Sequence, residues 1–421
     1  MLDMKLIREA PDLVRTGAAH KNEQCDIDRI LALDERRRQI IRTVERLKAE
    51  RNQASADIAI KKKAGQSADA AIEATRRLGD DIKVQDENLR ELEAGLQKLL
   101  QLVPNLPHES VPVGKDNAAN KVVREWGAKL EPAFKVLPHW EVGEKLGILD
   151  LAAGAAVAGS GFYVLRGMGA RLQRALISYM LDLHTAAGFV EVSTPYIVNA
   201  DTMYGTGQLP KLADDMYRIE SDDLWLIPTA EVPVTNLYKQ RIITDEELPV
   251  YMVAHSPCFR REAGAAGKDT RGMIRVHQFD KVELVKIVHP ERSYDELESL
   301  VAQCEQVLRS LNIHYRVVML ATGDLSFASA KTYDLELWAA GVERYLEISS
   351  ISNFESFQAR RMNLRYRNVD KKLDFPHTLN GSGLALARLI PAILENYQNP
   401  DGSVTIPEVL RKYMGGADRI G

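Results

Sequence analysis

The sequence predicts an α+β protein: an N-terminal antiparallel coiled-coil hairpin precedes a larger domain built on a mainly antiparallel β-sheet flanked by helices. Residues 26–103 are dense in charge, contain no proline, and repeat apolar residues at steps of three and four. After residue 139, segments with strand-like alternation are interleaved with helical patterns near residues 296–311 and 384–397. A chain of 421 residues is long enough for two or three domains, each with its own core.

The hairpin is predicted over about residues 27–103, with its tip at about residues 60–70. A polar, glycine-containing reversal between residues 61 and 67 separates two helices of similar length. On the first helix the seam is Ile30, Leu33, Ile40, Val44, Leu47, Ala54 and Ile58, with Arg37 and Arg51 also at seam positions. On the second helix it is Leu78, Ile82, Leu89, Leu92, Leu96, Leu99 and Val103.

The first helix of this hairpin carries a local excess of positive charge. The whole chain has a net charge of −4, whereas residues 34–63 contain ten Lys or Arg against five Asp or Glu, a net +5. From composition alone, a solvated helix face and a grip on an RNA backbone both remain open. The basic candidates for RNA contact are Arg38, Arg42, Arg46, Lys61, Lys62 and Lys63.

Residues 104–138 are proline-rich and polar, and we predict an irregular linker there, followed by a second domain over residues 139–421. Residues 171–184 have helical apolar spacing, and the strand pattern after Gly188 stops at Pro195. A plain helix–strand unit of the core is one interpretation of this segment. A subunit interface is the other.

The stretch from Pro257 to Glu283 predicts a strand, a glycine-rich polar loop and a second strand. Arginines, an aromatic ring and carboxylates share neighbouring strand faces there, which suits a ligand with phosphates, a flat ring and an ammonium group. A salt-bridged, solvated ribbon remains the alternative. The first strand contributes Arg260 and Glu262, and the loop contributes Lys268 and Arg271. In the second strand, alternation separates Ile274, Val276 and Val282 from Arg275, His277, Phe279 and Glu283.

Composition excludes several other classes of protein. No uncharged apolar run approaches the roughly 18 residues of a membrane-spanning helix, and the N-terminus lacks the pattern of a signal peptide. Three widely spaced cysteines argue against a disulfide framework or a Cys-rich zinc site and fit a reducing cytoplasm. The nine histidines show no metal-ligand spacing, and there is no GxGxxG motif or P-loop.

Three stretches resemble the signature motifs of class II aminoacyl-tRNA synthetases, in the form found in the seryl-tRNA synthetase family. Phe-Arg-x-Glu262, the loop, and Arg-x-His-Gln-Phe-x-Lys-Val-Glu283 resemble motif 2. Gly-Phe-x-Glu-Val-x-Thr-Pro195 resembles motif 1, and the run from Thr378 to Arg388 resembles motif 3. The resemblance covers the whole chain and places motif 1 at about residues 171–195, motif 2 at about 251–283 and motif 3 at about 378–397. It makes residues 1–103 a tRNA-binding arm and residues 139–421 a catalytic domain.

The resemblance implies a cytoplasmic, homodimeric enzyme that joins L-serine to tRNA(Ser) through a seryl-adenylate, with ATP as substrate and Mg²⁺ as cofactor. It leaves tRNA(Sec) open as a second RNA partner. Two alternatives remain. A related enzyme could load an amino acid on a non-tRNA acceptor such as a carrier protein, against which the long hairpin argues. A non-catalytic tRNA-binding paralogue is the other alternative, against which the complete set of motif residues argues.

The resemblance also implies the site residues. Those expected at ATP are Arg260, Glu262, Arg275, Phe279, Glu347, Ser350 and Arg388. Those expected at serine are Thr229, Glu231, Arg260, Glu283, Asn380 and Ser382. Arg260, Glu347 and Arg388 are the expected catalytic residues, and Glu347 with Ser350 would hold the metal. Ile351 stands where the family usually has cysteine, and Pro391 lies inside the predicted motif 3 helix, two departures whose effect the sequence leaves open.

Overall fold

A computed structural model describes residues 1–263 and 271–421 and divides them into two compact units. The helical unit comprises Leu2–Ala19 and Glu23–Pro104. The larger unit comprises Met1, His20–Asn22 and Asn105–Gly421. In the described part of the chain, no helix combines the length and apolar composition needed to cross a bilayer.

The helical unit contains the predicted hairpin. Its helices are α1 (Met4–Glu9), α2 (Pro11–His20), α3 (Ile27–Lys63) and α4 (Asp69–Leu100). At the start of α3, the side chain of Asp26 accepts a hydrogen bond from the Arg29 amide and so satisfies one of the unpaired N–H groups of the first turn. The last turn of α3 contains Lys61, Lys62 and Lys63, and the helix dipole favours positive charge at this end of a helix. The prediction of two long helices joined by a short turn is confirmed.

The hairpin seam follows the predicted spacing. Ile30, Val44 and Leu47 of α3 are buried, as are Ile82 and Leu96 of α4. Two charged residues also belong to this seam. Arg37 reaches across to α4, where its Nε lies 2.9 Å from Oε1 of Glu93. The carboxylate of Asp34 is completely buried and is neutralised by three arginines, Arg8, Arg37 and Arg38.

The larger unit is organised on an eight-stranded sheet with the order β1-β11-β12-β13-β16-β10-β9-β4. Every neighbouring pair in it is antiparallel except β4 with β9, which confirms the predicted sheet type. Its strands are β1 (Lys121–Trp126), β4 (Val190–Glu191), β9 (Val250–Phe259), β10 (Gln278–Val288), β11 (Tyr315–Met319), β12 (Lys331–Ala339), β13 (Arg344–Asn353) and β16 (His377–Ala385). The ten short strands are β2 (Leu149–Asp150), β3 (Val164–Leu165), β5 (Ile197–Asn199), β6 (Arg218–Ile219), β7 (Leu224–Leu226), β8 (Ile242–Thr244), β14 (Arg365–Arg367), β15 (Leu373–Asp374), β17 (Val404–Thr405) and β18 (Arg419–Ile420).

Nine helices are described in this unit: α5 (His139–Lys145), α6 (Leu151–Ala158), α7 (Met168–Ala186), α8 (Ala200–Thr206), α9 (Glu231–Asn236), α10 (Ser293–Ser310), α11 (Phe357–Met362), α12 (Leu386–Asn396) and α13 (Glu408–Arg411). The apolar stripes of α7, α10 and α12 are buried in one core with the sheet, through residues such as Leu176, Leu300 and Ile390. The three helices predicted from apolar spacing in this part of the sequence are therefore confirmed.

Three local predictions differ from the structure. Arg260 and Glu262 were predicted in the first strand of the Pro257–Glu283 stretch, but β9 ends at Phe259 and Glu262 has a positive φ of 51°, which a strand does not allow. Residues 121–126, inside the stretch predicted as irregular linker, form β1 and pair with β11 at the edge of the sheet. Five of these six side chains are exposed, so the segment lacks the apolar alternation that marks a half-buried strand. Strand β10 begins at Gln278, whereas alternation predicted a strand from residue 273. The amides of Met273 and His277 are bonded to His139 and Gly161 instead of to a neighbouring strand.

Candidate active site

A cavity of about 580 Å³ opens on the sheet where β9, β10, β13 and β16 lie side by side. This volume is typical of a site for a small molecule or nucleotide. The cavity brings together nearly all of the residues predicted for ATP and serine, from segments that lie far apart in the sequence. Its walls include Thr229, Glu231, Arg260, Glu262, Arg275, Phe279, Glu347, Ser350, Asn380, Ser382 and Arg388.

Arg260 follows the last residue of β9 and reaches over the ring of Phe279 on β10. Its guanidinium carbon lies 5.3 Å from the centre of that ring, and its Nε donates to the carbonyl of Pro228 over 3.4 Å. Among the described residues, Arg260 has no carboxylate partner within ion-pair distance. The positive charge of Arg260 is therefore held over an aromatic face and remains available to an anion.

The other two arginines of the cavity are paired with carboxylates. Nη1 of Arg275 lies 2.6 Å from Oε2 of Glu262. Arg388, at the start of α12, donates from Nη1 to the carbonyl oxygen of Glu347 over 2.6 Å and lies 3.4 Å from its Oε1. Because the Glu347 side chain is 48% exposed, its carboxylate remains accessible to a cation in the cavity.

A buried polar cluster forms another part of the cavity wall. Nζ of Lys281 lies 2.9 Å from Oγ1 of Thr229 and 2.5 Å from Oε2 of Glu283. The amide of Asn380 donates to Oε1 of Glu283 over 3.1 Å. Glu283, predicted to touch the ligand, is fully buried and is not among the lining residues. It lies behind Lys281 and Asn380 and neutralises the lysine.

Glu231 lines the same part of the cavity and is 6% exposed. Burial, and then the neighbouring charge of Glu283, raise the pKa of Glu231 to about 7. A hydrogen bond from Gln358 and the charges of Lys281 and Arg260 act in the opposite direction on this pKa. A cation that enters the cavity would strongly stabilise the ionised form of this carboxylate, because it replaces the favourable interaction with water that burial removes.

Lys281 and Gln358 belong to this cluster, and sequence reasoning missed both. The signal for Lys281 was present in the alternation, since it lies two residues from Phe279 and two from Glu283 on one face of β10. Gln358 gave no comparable signal. It lies on the short helix α11, and its contact with Glu231 joins residues 127 positions apart in the sequence.

Behind Glu347 and Ser350 lies a further carboxylate, Asp334 of β12, which is paired in register with Ser350. Burial, and then the charge of Glu347, raise the pKa of Asp334. The described residues contain no group of three or more His, Cys, Asp or Glu side chains placed to hold a metal ion. The predicted metal ligands Glu347 and Ser350 supply one carboxylate and one hydroxyl, and these hard oxygen donors fit a cation that keeps several waters.

The two departures from the family pattern lie in the packing around the cavity. Ile351 is fully buried in the main core and faces Gly381 of β16, whose missing side chain leaves room for it. Pro391 lies inside α12 and is buried in the same helix that carries Arg388. Lys268 lies outside the described residues, whereas Arg271 stacks on Trp140 at 4.9 Å.

The basic candidates of the arm fall into two groups. Arg38 contacts the carboxylates of Asp34 and Glu35, and Arg46 lies 2.7 Å from Glu50. Arg42 is exposed and has no ion pair among the described residues, and the same holds for the three lysines that end α3. Among the six predicted residues, the charge available to an external anion is therefore that of Arg42, Lys61, Lys62 and Lys63.

Two family profiles match the chain. One described as the tRNA synthetase class II core domain (G, H, P, S and T) matches residues 216–397, and one described as the seryl-tRNA synthetase N-terminal domain matches residues 1–107. A serine–tRNA ligase of Thermomicrobium roseum is 56% identical over 100% of this chain and 95% of its own length. One of Carboxydothermus hydrogenoformans is 54% identical over 100% of this chain and 99% of its own.

Among solved structures, the seryl-tRNA synthetase of Pyrococcus horikoshii complexed with ATP superposes with a TM-score of 0.92 at 38% identity. That match covers 100% of this chain and 99% of the other. A cytoplasmic serine–tRNA ligase of Naegleria fowleri in complex with AMP has a TM-score of 0.89 at 30% identity, over 100% of this chain and 98% of the other. Similarity of sequence and structure along the whole chain leads to one conclusion: the protein belongs to the seryl-tRNA synthetase family.

Proposed function

We propose that this protein joins L-serine to tRNA(Ser) in two steps at the described cavity. In the first step a serine carboxylate oxygen attacks the α-phosphorus of ATP, which forms seryl-adenylate and releases pyrophosphate. In the second step a ribose hydroxyl at the tRNA 3′ end attacks the seryl carbonyl and releases AMP. The observation that carries the proposal is one cavity whose wall combines Arg260, Arg275 and Arg388 with Lys281 and the buried carboxylate of Glu231.

Arg260 is the proposed catalytic group of the first step. Its guanidinium can contact the α-phosphate and the serine carboxylate together, and so offset the negative charge that builds up at phosphorus. We assign the adenine ring to the face of Phe279 and to Arg388. Since Arg260 lies over the Phe279 ring, its guanidinium moves off that ring toward the phosphate when adenine stacks there.

The paired arginines have supporting roles in the proposal. The ion pair of Arg275 uses Oε2 of Glu262, so we assign Oε1 of Glu262 to the adenine amino group. Arg275 itself lies next to the phosphates in this arrangement. Arg388 orients Glu347 through the hydrogen bond to its backbone and contributes positive charge to the same region.

Glu347 and Ser350 are the proposed protein ligands of Mg²⁺, together with phosphate oxygens of ATP and water. When bound, the ion neutralises negative charge on the triphosphate and its pyrophosphate leaving group. The partial exposure of Glu347 and the oxygen-only donor set support this assignment.

For the amino acid, the carboxylate of Glu231 accepts hydrogen bonds from the serine ammonium group, and Thr229, Asn380 and Ser382 surround the side-chain hydroxyl. Glu283 acts from behind by holding Lys281 and Asn380 in place. Such a pocket discriminates by hydrogen bonding, because alanine would leave its buried polar groups unpaired. Threonine adds a methyl group that the pocket must exclude by volume.

The helical unit is the proposed tRNA-binding arm and residues 139–421 are the proposed catalytic domain. Residues 104–138 connect them in the sequence and add β1 to the sheet of the larger unit. We further propose a homodimer through the motif 1 region, where the short edge strand β4 and the following segment expose Val190 at 63% and Ile197 at 44%. Three free cysteines support a cytoplasmic location. No observation on the described residues favours tRNA(Sec) as a second RNA substrate. Full-length similarity to serine–tRNA ligases does not support the carrier-protein or non-catalytic alternatives.

We expect pyrophosphate exchange between labelled pyrophosphate and ATP with serine alone among the twenty amino acids. Charging of a tRNA mixture with labelled serine should occur only on the serine acceptors. Exchange that depends on another amino acid would contradict the assignment of the pocket. Exchange with serine but charging of a protein acceptor in place of tRNA would contradict the proposed role of the arm.

Changing Arg42, Lys61, Lys62 and Lys63 together to glutamine should weaken tRNA binding and leave pyrophosphate exchange unchanged. These are the predicted RNA-contact residues that have no ion pair among the described residues, and each phosphate contact releases counterions. The slope of log K against log salt should therefore become shallower by up to about four counterions, measured by filter binding across a salt series. The matched control changes four exposed basic residues of α4, Arg76, Lys83, Arg90 and Lys98, to glutamine. An equal loss in both variants would indicate attraction to net charge and not a specific surface.

A further inference from the structure

Gln358 is the second residue of α11, is 1% exposed, and is not a lining residue of the cavity. A buried amide must find hydrogen-bond partners for its oxygen and both of its N–H groups, or its burial is costly. The partners of Gln358 lie on three different elements. Each of these elements contributes to the wall of the cavity.

The amide nitrogen of Gln358 donates to Oε1 of Glu231 over 2.7 Å and to the carbonyl oxygen of Thr206 over 3.0 Å. The amide oxygen accepts from Oγ1 of Thr378 over 2.7 Å. A backbone carbonyl can only accept, so the NH₂ group has to face Thr206. The orientation of the amide is therefore determined, and its second N–H is directed at the carboxylate of Glu231.

These bonds connect the walls of the cavity through one side chain. Thr206 ends α8 and lines the cavity together with the two residues that follow it. Thr378 lies on β16, two residues before the lining residue Asn380. Glu231 is the first residue of α9. Without the amide, α8, α9 and β16 would lose the hydrogen bonds that join them to α11 beside the carboxylate of Glu231.

The charged groups around Glu231 explain why its orientation matters. Glu283 on β10 opposes the ionised carboxylate, while Lys281 on β10 and Arg260 at the end of β9 favour it. Gln358 on α11 favours the ionised form by donating to it. Burial outweighs these favourable contributions and leaves the pKa of Glu231 at about 7.

We propose that Gln358 is a positioning residue, which holds Glu231 as the oriented, ionised acceptor for the serine ammonium group. This inference rests on the proposed function, because it assigns a role within the same amino-acid pocket. Serine affinity then depends in part on a residue that does not line the cavity.

Gln358→Met keeps the length and volume of the side chain and removes its hydrogen bonds. We expect KM for serine in pyrophosphate exchange to rise about 10–100-fold, as for the loss of a hydrogen bond to a charged group, while KM for ATP changes less than about twofold. KM for serine of the parent enzyme should rise as the pH falls below about 7, when Glu231 gains a proton. In the variant this rise should begin at a higher pH, because the proton is held more tightly without the donated bond.

Gln398→Met is the matched control. Gln398 is also buried, at 8% exposure, and its amide bonds to the backbone N–H and carbonyl of Leu137, away from the cavity. Thr378→Val provides a graded variant, since it leaves the amide in place and removes one of its three hydrogen bonds. We expect an intermediate rise of KM for serine in Thr378→Val and none in Gln398→Met.

Two results would overturn the inference. One is a Gln358→Met enzyme with parental KM for serine and an unchanged pH profile. The other is an equal rise of KM for serine and for ATP, matched by Gln398→Met at a similar loss of Tm, which would indicate a structural role only. If the parent enzyme itself shows no serine-dependent exchange, the proposed function fails, and that outcome is distinct from both.

Discussion

Arg260→Ala is expected to lower serine-dependent pyrophosphate exchange on the order of 10²–10³-fold and to leave tRNA affinity unchanged. The loss corresponds to about 3–4 kcal/mol of transition-state stabilisation, since each 1.36 kcal/mol changes a rate tenfold. The measurement is kcat/KM for exchange with purified enzyme, together with tRNA affinity by filter binding. Tm should stay close to the parent value, because Arg260 is only half-buried and has no ion pair among the described residues.

The size of this effect follows from the difference between Arg260 and the other arginines of the cavity. Arg275 and Arg388 each lie against a carboxylate, which offsets part of their charge. Arg260 instead lies over the Phe279 ring, so little of its charge is neutralised before the substrates arrive. An unneutralised guanidinium in a partly enclosed cavity is the strongest source of attraction for an oxyanion that develops there.

Arg261→Ala is the control for this experiment. Arg261 is the next residue, is exposed, and its guanidinium donates to the backbone carbonyl of Asp214 over 3.3 Å. The same change of charge one position away should leave exchange within about twofold of the parent, because general surface electrostatics contribute little. Loss of less than tenfold in Arg260→Ala, or equal losses in the two variants, would contradict the catalytic role of Arg260.

Local sequence patterns were sufficient for the elements whose own residues determine them. The steps of three and four in residues 27–100 predicted both hairpin helices, and Arg37 at a seam position is explained by its bond to Glu93. The buried Asp34 could not be predicted in this way. Its burial depends on Arg8, which lies on another helix and provides part of the compensating charge.

Strands were predicted less well, because their pairing depends on partners remote in the sequence. The sequence of β1 shows neither helical nor strand-like spacing of apolar residues. It forms a strand because it pairs with the edge of β11. The late start of β10 results from amides that find partners on α5 and at Gly161. Alternation describes a strand once it exists, but it does not indicate where backbone hydrogen bonding begins.

The residues of the candidate site likewise divide into those that the sequence predicted and those that depend on distant partners. The motif resemblance predicted eleven of the residues that line the cavity, and the strand order β13-β16-β10-β9 explains physically how segments so far apart in sequence come to face one cavity. Lys281 stands within the quoted motif 2 pattern, but no role was predicted for it, although alternation along β10 places it on the same face as Phe279 and Glu283. Gln358 required the structure, because its bonds to Glu231, Thr206 and Thr378 exist only when three elements pack around α11.

Replacing residues 42–88 by a short glycine-containing turn is expected to separate the two activities of the protein. The ion pair of Arg37 with Glu93 shows which residues of α3 and α4 lie opposite each other, so this truncation closes the hairpin without shifting the helices. It keeps Ile30, the buried Asp34 and Leu96 in the remaining seam. The base of the helical unit should therefore stay folded, as measured by the helical signal in circular dichroism.

Every lining residue of the cavity lies in the larger unit, so adenylate formation should not need the removed segment. We expect pyrophosphate exchange with a KM for serine within about twofold of the parent. Aminoacylation of tRNA should fall on the order of 10²-fold or more, because Arg42 and the lysines at the end of α3 are lost with their phosphate contacts. Raising the tRNA concentration should restore part of the rate, since the loss lies in binding and the chemistry is intact. A truncated enzyme that charges tRNA at the parental kcat/KM would show that the hairpin does not hold the RNA.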